Sequence, residues 1–205
     1  TDLFESTPGQ LKSKDVFVSQ SIEPAVASFG KGFSISPLKL AQLHAVLANG
    51  GSEVIPHVTL NFKDHIKNNF QEEIFSDEVS RTVLEWMETV VDKGSGVGAK
   101  IEGYRIGGKT GTSQNYRFED KNLNTFISIF PSDKPKYALL VMLENPQVAK
   151  DLIYNYRGIK IKGTRNEAGW NAVYVAGKII KKIGPILAIK SNDFNYHYVA
   201  EKTNK

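Results

Sequence analysis

The sequence predicts an α+β fold in which an antiparallel sheet packs with helices. Three observations indicate this class: helical segments precede a run of three strand candidates, a short turn joins the last two strands, and a further helix follows them. Helices grouped before and after strands favour an antiparallel α+β arrangement over a parallel sheet that alternates with helices. With 205 residues and 40% hydrophobic content, the chain can bury one substantial core.

The N-terminal third combines turns with one strong helix signal. Turn-forming residues mark positions 1–33, which are expected to be loop and short strand. Ser36 is a suitable N-cap and Pro37 fits the first helical position. The apolar helix that follows is expected to be largely buried and to end at the Asn-Gly-Gly of residues 49–51. Residues 54–62 are predicted to form a strand.

A second helix is predicted over residues 76–91, where apolar residues recur at helical spacing. The residues expected to face the core are Val79, Val83, Trp86 and Val90. Lys93 and Gly94 provide the C-terminal stop of this helix.

Three strands are predicted next, over residues 104–113, 125–130 and 137–143. The turn-rich residues 131–135 join the last two strands, as in a hairpin. The polar residues 113–124 leave the first of the three strands and are expected to form a substrate-contacting flap.

The C-terminal part is predicted to contain a long polar stretch and a closing helix. Residues 144–167 exceed the length of a simple connection, so they are either a partner surface or a disordered insertion. A helix is expected over residues 170–183, with Trp170 in the core. Residues 191–205 are expected to be a loosely held polar tail, and residues 1–190 would form a single domain portion.

Composition argues against several classes of function. The net charge of +4 is spread among interleaved acids, so no dense basic block predicts a nucleic-acid partner. The chain has no cysteine, which excludes disulfides and thiolate zinc sites. The four histidines lack ligand spacing, so no metal site is expected. No segment approaches the roughly 20 apolar residues that a membrane span requires.

The most informative segment is residues 107–114, with the sequence Gly-Gly-Lys-Thr-Gly-Thr-Ser-Gln. Strand alternation places Thr110 and Thr112 on one face, so two hydroxyls can bind a carboxylate while Gly111 lets the backbone come close. Lys109 adds a positive charge beside them. The N–H of Thr112, if it faces the ligand, can be one donor of an oxyanion hole. A solvated turn on an edge strand is the alternative interpretation.

The same region also satisfies the nucleotide-binding P-loop pattern, over residues 103–110. A P-loop needs a helix that begins at the Lys-Thr pair, so that the helix N-terminus faces phosphate. Gly111 and the polar residues 113–120 follow instead, without helical periodicity. A nucleotide site is therefore not expected.

An ordered series of segments carries a resemblance to a known family. The segments are residues 29–40, 47–51, 94–96, 103–112, 125–131, 135–137 and 168–172. Together they resemble class B penicillin-binding proteins, and most closely the septal, cell-division transpeptidase of the FtsI type. The resemblance implies that the chain is the C-terminal half of a penicillin-binding transpeptidase domain.

The resemblance also implies a mechanism and roles for particular residues. In the family, Ser-x-x-Lys supplies the nucleophile and its base, Ser-x-Asn a second serine, and Lys-Thr-Gly-Thr a third element. The third element matches at residues 109–112, and the first two are expected before Thr1. Lys109 would assist the Ser-x-Asn serine, and the Thr112 N–H would polarise the attacked carbonyl. The substrate-binding residues would be Thr110, Gly111, Thr112 and Ser113.

The implied activity is peptidoglycan cross-linking by a serine D,D-transpeptidase. Its substrate would be a stem peptide that ends in D-Ala-D-Ala, β-lactams would acylate the same serine, and no cofactor is implied. The implied site of action is the periplasmic face of the bacterial inner membrane, with the anchor outside this chain. The missing N-terminal part of the domain and divisome proteins would be its partners. The chain alone is expected to be inactive. The alternatives are a non-catalytic scaffold or binding module of the cell-wall machinery, and a β-lactam sensor or β-lactamase relative.

Three matches to the missing motifs are expected to be coincidental. Ser28 and Ser36 each begin a Ser-x-x-Lys sequence, but two glycines follow Ser28 closely and Ser36 is better explained as a helix cap. The Ser-x-Asn sequence at residues 113–115 lies too near Lys109 in the same strand to face it across a cleft.

Overall fold

The computed structural model describes residues 9–59, 72–114, 122–148, 150–156, 158–163 and 165–203. The chain divides into two compact units, Thr1–Arg81 and Thr82–Lys205.

The described part of the first unit contains α1 (Lys14–Ser19), α2 (Ile22–Ala27), α3 (Pro37–Ala48) and the start of α4 (Asp77–Lys93). The first two helices correct the expectation of loop and short strand in this region. The side chain of Ser13 caps α1 by accepting a hydrogen bond from the Val16 N–H. Such local capping stabilises a helix that is too short to show a clear apolar period.

Helix α3 begins and ends where the sequence predicts. Ser36 Oγ accepts a hydrogen bond from the Lys39 N–H at 3.2 Å, and Pro37 occupies the first turn. The expectation that α3 is largely buried is wrong, because within this helix only Val46 is buried and Leu43 is 45% exposed. The helix has apolar side chains on several of its faces, and the rest of the described chain covers only part of that apolar surface.

The strand predicted over residues 54–62 does not form in its described part, which ends at Thr59. The pairing nearby is a single antiparallel bridge between Ser52 and Glu73. The remainder of the predicted strand lies outside the described residues.

The second unit contains an antiparallel sheet of β1 (Gly107–Gln114), β2 (Asn122–Phe130) and β3 (Tyr137–Glu144). Its strand order is β1-β2-β3, so β1 lies at one edge of the described sheet. The sheet confirms the predicted strands and the predicted hairpin between the last two. In the register of β1 with β2, Thr110 pairs with Phe126 and Thr112 pairs with Asn124.

The polar stretch after β3 contains an ordered hairpin of β4 (Ile153–Tyr156) and β5 (Ile159–Lys162). The interpretation of this stretch as a disordered insertion is therefore wrong for the hairpin. A 3₁₀ turn at Ala168–Trp170 leads into α5 (Ala172–Thr203). The helical backbone of α5 continues past Pro185, so the helix is longer than predicted.

The core of the second unit lies between the sheet and α5. Phe126 and Phe130 are 0% and 1% exposed and belong to one buried cluster with residues of α5. The α5 members of this cluster are Ala172, Val173, Ala176 and Ile180.

Helix α4 forms where predicted but buries a different stripe of side chains. Leu84, Met87 and Val91 are buried, whereas Val79 is 47% and Trp86 is 66% exposed. The two stripes are adjacent on the helix and both are apolar, so spacing alone does not distinguish them. The prediction that Trp86 lies in the core is wrong.

Two glycines allow the other elements to pack closely against β1. A Cβ added at Gly108 would lie 2.3 Å from Cζ of Phe126, and one added at Gly107 would lie 3.2 Å from Cβ of Met87. The strand therefore lies directly on side chains of β2 and α4. Among the helices of the described residues, none is long and apolar enough to cross a membrane.

Replacing Gly108 with Ala should destabilise the second unit, because the new Cβ would overlap the Phe126 ring. Overpacking of this kind typically costs about 1–3 kcal/mol, which urea unfolding can measure. Gly184→Ala is the matched control, since its new Cβ would make ordinary contacts with Tyr104 at 3.7 Å within a helix. Wild-type stability of Gly108→Ala would contradict this packing.

His44 of α3 should make the first unit less stable in acid. Burial lowers the pKa of His44 from its ordinary value of 6.5, although the bond between its ring and the Leu40 carbonyl opposes the shift. A lowered folded-state pKa means that stability is complete above the unfolded pKa and declines as pH falls through the folded pKa.

Amide exchange of α3, corrected for intrinsic rates, should reveal the effect of His44. Between about pH 7.5 and about pH 5.5, protection should fall in the wild type and change less in His44→Gln. Identical pH dependence in both proteins would exclude His44 as the cause.

Candidate functional site

A cleft of about 600 Å³ lies in the second unit beside strand β1. Its polar and aromatic lining includes Ser95, Thr110, Thr112, Arg165, Glu167 and Trp170. Thr110 and Thr112 are two residues apart on β1, so their side chains leave the same face of the strand. The cleft therefore brings together the two threonines selected from the sequence.

Thr110 has a hydroxyl partner within the cleft. Its Oγ1 lies 2.7 Å from Oγ of Ser95, and either oxygen can be the donor. Ser95 follows the end of α4, where the N–H groups of Gly94 and Gly96 both donate to the Val90 carbonyl at 3.0 Å. The C-terminal turns of α4 thus hold Ser95 in place.

Thr112 connects β1 to the opposite wall of the cleft. Its Oγ1 accepts a hydrogen bond from the N–H of Ala168 at 3.1 Å. Ala168 is 0% exposed, so the Thr112 hydroxyl satisfies a backbone donor that water does not reach.

A network of asparagine side chains links this wall to strand β2. Asn124 is 0% exposed, and its Nδ2 donates to the Asn166 carbonyl and, at 3.2 Å, to Oδ1 of Asn171. The Asn171 amide donates in turn to Oδ1 of Asn166 at 3.1 Å. The network fixes the backbone on both sides of the 3₁₀ turn that carries Ala168.

Aromatic and charged side chains form the remainder of the wall. Trp170 packs edge-on against Tyr154 of β4, with ring centroids 5.4 Å apart. The Arg165 guanidinium carbon lies 5.9 Å from the centroid of Trp170, within the range of a cation–π contact. Glu167 is exposed, so the wall has side chains of both charges. Trp170 therefore lines the cleft, although its prediction placed it in the core.

Lys109 and Ser113 leave the opposite face of β1 from the two threonines. Both are exposed, and neither is among the residues that line the cleft. Lys109 Nζ donates to the Thr110 carbonyl at 2.7 Å. Gly111 faces Thr125, whose Oγ1 would lie 2.5 Å from an added Cβ. The roles assigned to these residues and to the Thr112 N–H remain predictions.

The structure also locates the competing motifs. Ser36 caps α3, as expected, and Ser28 Oγ donates to the Ala25 carbonyl at 2.7 Å. Residues 115–121, which include Asn115 of the third match and most of the expected flap, lie outside the described residues. Lys109 and Thr110 lie inside a strand that continues to Gln114, so no helix N-terminus begins at the P-loop match.

Within the described ranges, no group of three or more His, Cys, Asp or Glu side chains is placed to hold a metal ion.

Sequence reasoning missed Ser95, Arg165 and Glu167 as cleft residues. Ser95 belongs to a segment that carries the family resemblance, but its contact with Thr110 depends on where α4 ends. Arg165 and Glu167 lie in the stretch interpreted as an insertion, and no local pattern assigns them to a site.

The family model and the relatives that match this chain agree on one protein family. A family model described as penicillin binding protein transpeptidase domain matches residues 2–164. A relative from Mesostigma viride, named peptidoglycan D,D-transpeptidase FtsI homolog, is 36% identical over 172 residues, which cover 72% of this chain and 29% of the relative. The chain thus spans less than a third of that relative.

Solved structures share the fold. The transpeptidase domain of Burkholderia pseudomallei penicillin-binding protein 3 matches with a TM-score of 0.62 and 24% identity, over 87% of this chain and 50% of that one. Penicillin-binding protein 3 from Mycobacterium tuberculosis, complexed with aztreonam, gives 0.60 and 24% over 87% and 41%. These matches confirm the predicted fold class.

Replacing Thr112 with Val should loosen the cleft wall, because the buried Ala168 N–H would lose its acceptor. An unsatisfied buried donor costs about 1–3 kcal/mol, so exchange of the Ala168 amide should accelerate about tenfold or more. Thr112→Ser keeps the hydroxyl and is the matched control. Unchanged Ala168 exchange in Thr112→Val would show that this bond does not hold the wall.

Proposed function

Because this chain belongs to the penicillin-binding protein transpeptidase family, we propose that it supplies the carboxylate-binding strand of a peptidoglycan D,D-transpeptidase. The observation that carries the proposal is the pair of hydroxyls, Thr110 and Thr112, on one wall of the cleft. Each oxygen already has a partner within the protein, Ser95 Oγ and the Ala168 N–H respectively. Hydroxyls held in this way are preorganised to donate to an anion.

The proposed ligand is the terminal carboxylate of a stem peptide that ends in D-Ala-D-Ala. Within the described residues, β1 pairs with β2 along one side only. An extended peptide can therefore align with the other edge of β1, as in β-strand addition. Its carboxylate would then accept hydrogen bonds from Thr110 and Thr112, with Gly111 and Ser113 beside it, and the Thr112 N–H would be one donor to the carbonyl under attack.

Lys109 is proposed to act electrostatically rather than as a member of the cleft wall. Its side chain is exposed on the other face of β1, where its ammonium group can reach a partner outside the described cleft. In the proposed reaction it assists the proton-handling serine of the Ser-x-Asn element. A protonated ammonium beside a serine hydroxyl favours loss of the serine proton.

The nucleophile is proposed to lie outside these 205 residues. Ser28 and Ser36 each begin a Ser-x-x-Lys sequence. Both hydroxyls bond to backbone groups of their own helices. The chain alone would then be inactive, and the remaining N-terminal part of the transpeptidase domain would be its obligatory partner.

The whole protein is proposed to act in cell-wall synthesis during cell division. It would work on the periplasmic face of a bacterial inner membrane with divisome proteins, and β-lactams would acylate its serine. The aztreonam complex of the Mycobacterium tuberculosis protein, which shares this fold, supports the β-lactam part of the proposal.

Intact-mass measurement after incubation with excess benzylpenicillin tests this function. The mass of this chain should not change, whereas the product of the same gene, extended upstream through Ser-x-x-Lys and Ser-x-Asn, should gain one penicillin. An adduct on this chain would mean that it contains a nucleophile and would overturn the assignment. No adduct on either protein would favour a non-catalytic module.

Thr110 and Thr112 should matter for acylation of the extended protein. Each hydrogen bond to a charged group contributes about 1.5–3 kcal/mol, so Thr110→Val and Thr112→Val should each slow acylation about tenfold or more. Thr89→Val is the control, because its hydroxyl bonds to the Glu85 carbonyl on the exposed surface of α4. Wild-type rates in both cleft variants would contradict the carboxylate-binding role.

A further inference from the structure

We propose that Ser95 is a positioning residue for the carboxylate site, acting through the hydroxyl of Thr110. This inference rests on the proposed function and extends it to a residue outside the Lys-Thr-Gly-Thr element. The contact that supports it is the distance of 2.7 Å between Ser95 Oγ and Thr110 Oγ1.

The two hydroxyls contain two protons but only one hydrogen bond between them. Whichever oxygen donates, one proton occupies that bond and the other is left over. Both side chains line the cleft, so the remaining proton can be directed at a ligand there. With Ser95 as the donor inside the pair, the proton that remains is the one on Thr110, and Thr110 presents it to the ligand.

The Thr112 hydroxyl also has a proton available to a ligand, but for a different reason. The Ala168 N–H can only donate, so the Thr112 oxygen must accept in that bond and the hydroxyl proton remains free. The cleft thus presents two donor protons, one from Thr112 and one from the Ser95–Thr110 pair. A ligand that only accepts hydrogen bonds and carries negative charge fits this arrangement, and a carboxylate has both properties.

Ser95 is also held rigidly enough to orient its partner. Gly94 and Gly96, on either side of it, both donate to the carbonyl of Val90. Gly169, from the opposite wall, approaches so closely that an added Cβ would lie 2.9 Å from the Ser95 carbonyl oxygen. A fixed hydroxyl at Ser95 restricts rotation of the Thr110 hydroxyl, so less freedom is lost when the ligand binds.

The hydrogen bond within the hydroxyl pair strengthens the O–H donor that faces the ligand. A hydrogen bond from one hydroxyl polarises the other, so the outward O–H becomes a better donor than an isolated hydroxyl. Removing the Ser95 hydroxyl should therefore weaken recognition of a charged acceptor more than recognition of an uncharged one. The charged residues Arg165 and Glu167 also line the cleft. Because both are present in the wild type and in Ser95→Ala, a difference in acylation between these two proteins reports on the Ser95 hydroxyl.

The test compares acylation of the extended protein by benzylpenicillin and by its methyl ester, which lacks the negative charge. In Ser95→Ala, acylation by benzylpenicillin should slow about three- to tenfold, corresponding to one hydrogen bond. Acylation by the ester should change less than about twofold. Ser95→Thr keeps the hydroxyl and should react with benzylpenicillin within about twofold of the wild type.

Thermal unfolding of each variant controls for misfolding. Equal slowing with the acid and the ester, or no slowing with the acid in a folded Ser95→Ala protein, would overturn the role of Ser95. Failure of Ser95→Thr to restore the rate would also overturn it. If the wild-type extended protein is not acylated at all, the proposed function fails, and this inference fails with it. If instead the wild type is acylated and Ser95→Ala reacts at the same rate, only the role of Ser95 fails.

Discussion

The close approach of β1 to Phe126 is the constraint on which the cleft depends. Gly108 has no side chain, so β1 can lie against a phenyl ring that is itself fully buried. Gly107 allows a similar approach to Met87 of α4. Because these contacts fix the start of β1, the residues two and four positions after Gly108 emerge at the cleft on the same face. Tight packing thus determines where the hydroxyls of Thr110 and Thr112 lie.

The other walls of the cleft are attached to this strand by hydrogen bonds rather than by burial alone. The end of α4 brings Ser95 to Thr110, and the 3₁₀ turn before α5 brings the Ala168 N–H to Thr112. Asn124 of β2 supports the same turn from below. The hydroxyls of Thr110 and Thr112 are therefore each held by a different part of the cleft wall. This suits them to donate to one anion without reorganising when it binds.

Sequence reasoning succeeded where a local pattern decides the structure. Alternation along β1 was sufficient to place Thr110 and Thr112 together, and Ser36 and Pro37 located the start of α3. It failed where two local patterns compete or where the contact is distant. Trp86 lies on an apolar stripe beside the one that α4 buries. Ser95 meets Thr110 only because α4 ends just before Ser95. The short strands of the β4–β5 hairpin lie within a polar stretch that lacks a clear period.

The central claim is that Thr110 and Thr112 receive a carboxylate. A crystal structure of the extended protein acylated by benzylpenicillin tests it most directly, because the carboxylate of the bound drug becomes visible. We expect carboxylate oxygens within about 3 Å of both threonine hydroxyls, with Ser95 still bonded to Thr110. A carboxylate located elsewhere, with neither hydroxyl within hydrogen-bonding distance, would contradict the claim.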